Sequence, residues 1–173
     1  QNTMRDAMVA ALTLDIFNSH CDRVVMANIA QMVNVLQAVI LTDGAKMICT
    51  PTYHVFDLYK AHHDANYLPS AITCGECSGV KQLTATASEK EGVITLTATN
   101  TSCTDALDVV VHLSGASAKN VTARILTGDM HDKNTFEDAE KVTVKPFDAV
   151  RVTETGLTMT LPACSVVEVT IRG

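Results

Sequence analysis

The sequence predicts a mostly β chain with an amino-terminal α/β piece. Residues 1–68 read as helix, strand and helix, and residues 69–173 as an antiparallel β-sandwich of jelly-roll type. Three observations carry this reading. Apolar residues recur at helical spacing only before Asn66-Tyr67-Leu68-Pro69-Ser70, and from Leu83 onward they alternate with polar ones at a period of two. Between the helical stretches, Val24-Val25-Met26-Ala27-Asn28-Ile29-Ala30 is nearly all apolar and shows neither period.

Thr3 is placed to cap a first helix, with Asp6 three positions on as a shortened capping box and as a carboxylate at the positive end of the helix dipole. Met4, Ala7, Met8, Ala11, Leu12 and Ile16 give that helix its apolar face, and Asn18-Ser19-His20 reads as its stop. Val24 to Ala30 follows as a strand buried on both faces, the pattern of a parallel sheet, and it ends at the amide of Gln31. A short extended piece is expected around Met47-Ile48. Thr50-Pro51 then opens a second helix with cap and first-position proline in their preferred order, carried by Val55, Phe56, Leu58 and Tyr59 and fading by His62-His63-Asp64. Helix, strand, insertion and helix make one and a half α/β units, too few to close a barrel.

The second half alternates. Ile94, Leu96 and Ala98 are interleaved with Thr95, Thr97 and Thr99, and Leu107, Val109, Val111 and Leu113 with Asp108, Val110, His112 and Ser114. Val121, Ala123 and Ile125 alternate with Thr122 and Arg124, and Val167, Val169 and Ile171 with Glu168, Thr170 and Arg172. Short β-branched runs separated by Gly, Asn, Asp and Ser clusters argue an antiparallel sandwich with enough core residues to fold alone.

A formal net charge of -6 with scattered Lys and Arg leaves no electrostatic footprint for nucleic acid. The apolar stretch Val33 to Leu41 is broken by Asn34 and Gln37 and is too short to span a bilayer. The chain opens at Gln1 with helix-forming residues at once, so its true amino terminus is expected further upstream. The cysteines at 21, 49, 74, 77, 103 and 164 are too dispersed for a small disulfide framework, and reduced thiols are the default. Cys74-Gly75-Glu76-Cys77 has the spacing of redox and zinc sites, but no second pair or His pair follows, so a turn holding two thiols is the favoured reading.

Gly128 to Asp138 resists a strand assignment. Asp129, His131 and Asp132 are oxygen and nitrogen donors within four residues, yet a metal would need a particular turn and a fourth donor, so a loop packed around Phe136 is favoured and no metal or cofactor is expected. His62-His63 at a helix end suits the negative pole of the dipole, His112 falls on a polar strand face, and His54 reads as a packed or half-exposed ring. Gln31, the polar amide at which the apolar strand stops, is the candidate binding residue, because a buried strand that ends in a polar side chain is how an α/β barrel delivers a binding group to its open end, and its alternative is a buried glutamine satisfied by backbone. Asn28 faces either the barrel interior or the helix layer, and Asn34 is expected to cap or brace the loop after the strand.

Several stretches, in order, resemble the end of the α-L-arabinofuranosidases of glycoside hydrolase family 51. They are Met4-Arg5-Asp6-Ala7 through Asn18, Asp22-Arg23-Val24 through Ala30-Gln31-Met32-Val33-Asn34-Val35, Thr50-Pro51-Thr52-Tyr53-His54-Val55-Phe56, and Leu126-Thr127-Gly128-Asp129 with Asn134-Thr135-Phe136. The resemblance runs along nearly the whole chain but matches only the last third or so of such an enzyme. It implies that residues 1–68 are the terminal part of a (β/α)8 catalytic barrel and that the 128–138 loop is an architectural crossover. Retaining hydrolysis needs two carboxyl groups about 5 Å apart. In the resembled family both are glutamates on earlier barrel strands, which places them upstream of Gln1 and leaves no catalytic residue in this chain. The acids within residues 1–68, Asp6, Asp15, Asp22, Asp43, Asp57 and Asp64, make no candidate pair, since Asp22 precedes its strand and the rest lie on helices or turns. Gln31 matches the family's glutamine at the end of the last barrel strand, which reaches hydroxyls of bound arabinose. The implied partner is an arabinofuranosyl oligosaccharide, with no nucleic acid or membrane, in a homo-oligomer.

Two other classes compete. A carbohydrate-binding module would stack sugars on aromatic platforms, yet tryptophan is absent and Tyr53, Tyr59 and Tyr67 are placed outside the sandwich. A non-catalytic interaction or assembly module has no use for a two-sided apolar strand without a partner.

Overall fold

Alternation at a period of two fixes which face each strand turns to the core, and the strands of the second half pair accordingly. The computed structural model describes residues 2–30 and 32–173. Helix α1 spans Met4–Ser19, β1 Ile40–Asp43, β2 Lys46–Cys49 and α2 Pro51–Tyr59, continued by a 3-10 turn at Lys60–His62. The strands that follow are β3 Asn66–Leu68, β4 Glu76–Cys77, β5 Val80–Lys81, β6 Leu83–Lys90, β7 Val93–Asn100, β8 Leu107–His112 and β9 Asn120–Thr127. Last come β10 Lys145–Pro146, β11 Val150–Thr153, β12 Gly156–Leu161 and β13 Ser165–Arg172. Helix makes up 16% of the chain, so it is mostly β as expected.

A six-stranded antiparallel sheet in the order β10-β9-β13-β7-β6-β3 faces a three-stranded sheet, β11-β12-β8. Register carries the sequence pattern across the larger sheet. Ala87, Leu96, Val169 and Ala123 lie side by side on four strands, and so, one step along, do Thr86, Thr97, Glu168 and Arg124. The first row belongs to the core between the sheets, with Val109, Leu157, Met159 and Leu161 opposite. Gly156, where β11 turns into β12, lies so close to β8 that a Cβ would sit 2.1 Å from the carbonyl oxygen of Val111.

The second row is where the structure departs from the usual reading of alternation. Thr86, Thr95, Thr97, Thr99 and Ser88 are buried, because α1 and α2 lie over that face. A second core forms there: Met4, Ala7, Met8 and Ala11 of α1 and Val55, Leu58 and Tyr59 of α2 pack with Leu126, Val142, Cys164 and Val166. Tyr67, expected outside the sandwich, sits on edge strand β3 beside Ser88.

Helix α1 starts and stops where its sequence says. Asp6 accepts hydrogen bonds from both the amide and the hydroxyl of Thr3 at 2.8 and 2.9 Å, and the turn at His20 ends the helix. Thr50 precedes α2 as expected, but its hydroxyl donates to the carbonyls of Ala38 and Val39 rather than capping the helix. The expected short piece near Met47 is one arm of a hairpin, β1–β2, turned at Gly44 in the left-handed region.

Leu126 is wholly buried on the helix-facing side, whereas Val110 of β8 is exposed. Leu126→Ala is expected to cost about 2–5 kcal/mol in urea denaturation, and Val110→Thr no more than about 0.5 kcal/mol. Comparable losses at the two positions would mean that the helices do not cover this face.

Candidate functional site

Gln31, the candidate sugar-binding residue, lies outside the described residues. Its flanks are described. Residues 24–29 form no strand and pair with no other segment among the described residues, which corrects the expectation of a buried strand from Val24 to Ala30. Val25 is 92% and Met26 73% exposed, and Asn28 is exposed as well. The reason is physical: a parallel strand needs neighbours to take its amides and carbonyls, and every strand pair of the described residues is antiparallel apart from a single bridge between Val33 and Ile40.

Beyond position 31 the chain is braced. Asn34, with φ at +55°, accepts from the amide of Thr42 and donates to its hydroxyl, both at 2.7 Å, and its own amide donates to the carbonyl of Ile40 at 3.1 Å. The role expected for Asn34 is thus the one it plays. The Ile40 amide donates to Met32 O, and the Thr50 amide to Val39 O, so the hairpin is tied to both the 32–34 segment and the start of α2.

The 128–138 loop is architectural in its contacts. The orphan amides of Met4 and Arg5 in the first turn of α1 donate to the carbonyls of Asp132 and Met130 at 2.8 and 3.0 Å. Asn134 is buried and bridges Cys49 O to both backbone groups of Val142. The Asp132 carboxylate is occupied by the Asp129 amide at 3.0 Å and Lys141 at 2.6 Å, and those bonds hold it below the usual carboxylate range. Among the described residues no group of three or more His, Cys, Asp or Glu is placed to hold a metal. Cys74 gives its thiol to the carbonyl of Leu83, while Cys77 is exposed on β4.

Between the helices and the six-stranded sheet lies a polar layer that the sequence reading did not single out. Tyr59 donates to Asp15 at 2.7 Å and Thr84 donates to the other carboxylate oxygen, also at 2.7 Å. Burial pushes the Asp15 carboxyl up to about 6, against the lowering effect of those two hydroxyls. His62 meets Ser88 Oγ through Nδ1 at 2.7 Å and Thr97 Oγ1 through Nε2 at 3.0 Å, and burial pushes it down to about 4. A neutral ring cannot be the charged partner of the helix dipole expected of it. Arg124 bridges Glu168 to Asp57 of α2, and Asp57 also takes Lys60 at 2.5 Å. Burial raises the Asp57 carboxyl, but its bonds to Lys60 and Arg124 outweigh this and leave it below the ordinary value. The signal for Asp15 was present in the sequence: Met4, Ala7, Met8, Ala11 and Asp15 form one helical stripe, and an acid on that stripe must be buried.

Chemically this layer is a brace. Its carboxylates are tied to hydroxyls or to a guanidinium, not paired across an open cleft. A cavity of about 600 Å³ does open between the two sheets, but Leu83, Ala85, Ile94, Leu96, Val109 and Met159 dominate its wall. Ser70, Thr73, His112 and Ser114 are the polar side chains on that wall, few against its apolar lining for a neutral polyol.

The fold places the chain among antiparallel β-sandwiches that carry a helical layer on one sheet. The chain belongs to the α-L-arabinofuranosidase C-terminal domain family, whose model matches residues 1–165. It is 42% identical to an intracellular exo-α-L-arabinofuranosidase of Bacteroides ovatus, over 99% of this chain and 35% of that protein. The crystal structure of the family 51 arabinofuranosidase from Xanthomonas axonopodis pv. citri superposes with a TM-score of 0.91 at 40% identity, over 99% of this chain and 36% of that one. A family 51 α-L-arabinofuranosidase from Bifidobacterium longum does so at 0.88 and 28% identity, over 98% of this chain and 35% of that one. The chain thus spans about a third of the length of these relatives, and its resemblance to the end of family 51 enzymes is borne out.

Asp15 and His62 make opposite contributions to stability. Between about pH 4 and 6 the folded chain keeps a proton on Asp15 that the unfolded chain has released, so that contribution is full below the unfolded value of 3.8 and is lost as pH rises. His62 works the other way: its contribution is full above 6.5 and is lost as pH falls toward 4. Each amounts to about 3 kcal/mol, and the two act in opposite directions over the same pH range. Asp15→Asn is therefore expected to lose stability as pH drops from 6.5 to 4, and His62→Gln as pH rises from 4 to 6. Urea midpoints measured across this range test the pair; profiles parallel to the parent chain's in both variants would refute the assignment.

Proposed function

We propose that this chain is the carboxy-terminal portion of a retaining α-L-arabinofuranosidase that releases terminal non-reducing α-L-arabinofuranosyl residues from arabinose-containing oligo- and polysaccharides. The observation that carries the reading is the family match over residues 1–165, together with relatives that bear this activity in their names and are about three times as long. Residues 1–68 are then the terminal part of the catalytic barrel, residues 69–173 the sandwich that props it, and both catalytic glutamates lie upstream of Gln1.

The surface supports this division. Val25, Met26 and Leu36 are 92%, 73% and 70% exposed, and the outer side of α1 exposes Val9 and Ile16. An apolar segment without strand partners, beside a helix apolar on two sides, is what remains when the neighbouring strands and helices of a barrel are taken away. In the complete enzyme Val24 to Ala30 becomes the last barrel strand and delivers Gln31 to the open end, where barrels bind their substrates.

Two experiments test this. In the complete enzyme, Gln31→Ala is expected to lower kcat/KM on an aryl arabinofuranoside by about ten- to a hundredfold, corresponding to roughly 1.5–3 kcal/mol of lost hydrogen bonding. An unchanged value would make Gln31 scaffold. The purified 173-residue chain should show no turnover of the same substrate, and measurable hydrolysis by it would place the reacting carboxylates within this sequence after all.

A further inference from the structure

Two crossovers between the sheets lie at the same end of the sandwich, the β7–β8 connection over residues 101–106 and the β12–β13 turn over residues 162–164. Asn100, wholly buried, knits them together. Its amide nitrogen donates to the carbonyls of Asp105, Leu161 and Pro162 at 3.0, 3.1 and 2.9 Å, and its oxygen accepts from the Ser102 amide at 3.0 Å. The Cys164 amide closes the brace by donating to Ser102 O at 2.8 Å.

Each crossover contributes one cysteine. Cys103, next to Ser102, is exposed; Cys164 is buried and holds its backbone at φ +46°, in the left-handed region that a side chain enters at a cost. A hydrogen bond to the carbonyl adjoining Cys103 keeps the two α-carbons within roughly 7 Å, the span a disulfide bridges. Burial, and then the neighbouring Cys103, holds the Cys164 thiol above its ordinary range. A small apolar side chain would fill the core position of Cys164 equally well. It would not explain a second, accessible thiol set against it by a rigid brace.

We propose that Cys103 and Cys164 form a reversible redox site that takes a low-molecular-weight disulfide as oxidant and closes into a staple across the two inter-sheet crossovers. The Cys103 thiolate attacks one sulfur of the small disulfide and expels one small thiolate. The Cys164 thiolate then attacks the Cys103 sulfur of this mixed disulfide and expels the second. One S–S bond is broken and one formed; the protein loses two electrons, the small disulfide gains them, and the two cysteine protons end on the released thiols.

The test uses the whole polypeptide that carries this chain, incubated folded with oxidised glutathione, acid-quenched, alkylated and mapped by peptide mass. The expected product is a peptide pair linked through Cys103 and Cys164 and released by dithiothreitol. Its closing step should run at least tenfold faster at pH 8.5 than at pH 7, because a buried thiol ionises late. Cys164→Ala should stop at the glutathione adduct on Cys103, and Cys103→Ser should leave Cys164 unmodified. If Cys164→Ala fails to fold, the exposed-site variant and the parent peptide map still decide the matter. A parent protein that stops at the Cys103 adduct, links Cys103 between molecules, or does not react at all overturns the proposal.

Discussion

The six-stranded sheet is buried on both faces, and most other features of the chain follow from that constraint. One face meets the three-stranded sheet through aliphatic side chains, and the other meets α1 and α2. Strand β13, paired with β7 on one side and β9 on the other, is buried along nearly its whole length. Adjacent residues on it serve different cores: Val166 packs with the helices, and Val167 with the opposite sheet.

A face built from threonine and serine is costly to bury unless its hydroxyls find partners. The helix layer supplies them for Thr84, Ser88 and Thr97, while the buried hydroxyls of Thr86 and Thr99 have none. Asp15 takes the hydroxyls of Tyr59 and Thr84, His62 engages Ser88 and Thr97, and Asp57 meets the Arg124–Glu168 pair. Directional bonds of this kind hold the helices at one angle and height on the sheet, which apolar contact alone leaves free to slide. The loop from Gly128 completes the fixation by giving its carbonyls to the first turn of α1.

What the helices leave uncovered is equally informative. Val9 and Ile16 on the outer side of α1 and Val25 and Met26 in the segment after it face water. The relatives that it matches are longer, and this chain spans about a third of their length.

Local rules were enough to place α1, its cap at Thr3 and its stop at His20, the start of α2 after Thr50, and the strands through Ile94, Val109, Ala123 and Val169, because helix periodicity, capping and alternation act within a few residues. The brace at Asn34 was legible for the same reason. Long-range packing decided the rest. Nothing local distinguishes a threonine face turned to water from one turned to a helix, so the hydroxyl partners of Asp15 and the true environment of His62 emerged only from the assembled fold, although the helical stripe already marked Asp15 for burial. An apolar run likewise announces burial without naming what buries it: Val24 to Ala30 has the composition of a core strand, but a strand exists only where neighbouring backbones are present to take its hydrogen bonds.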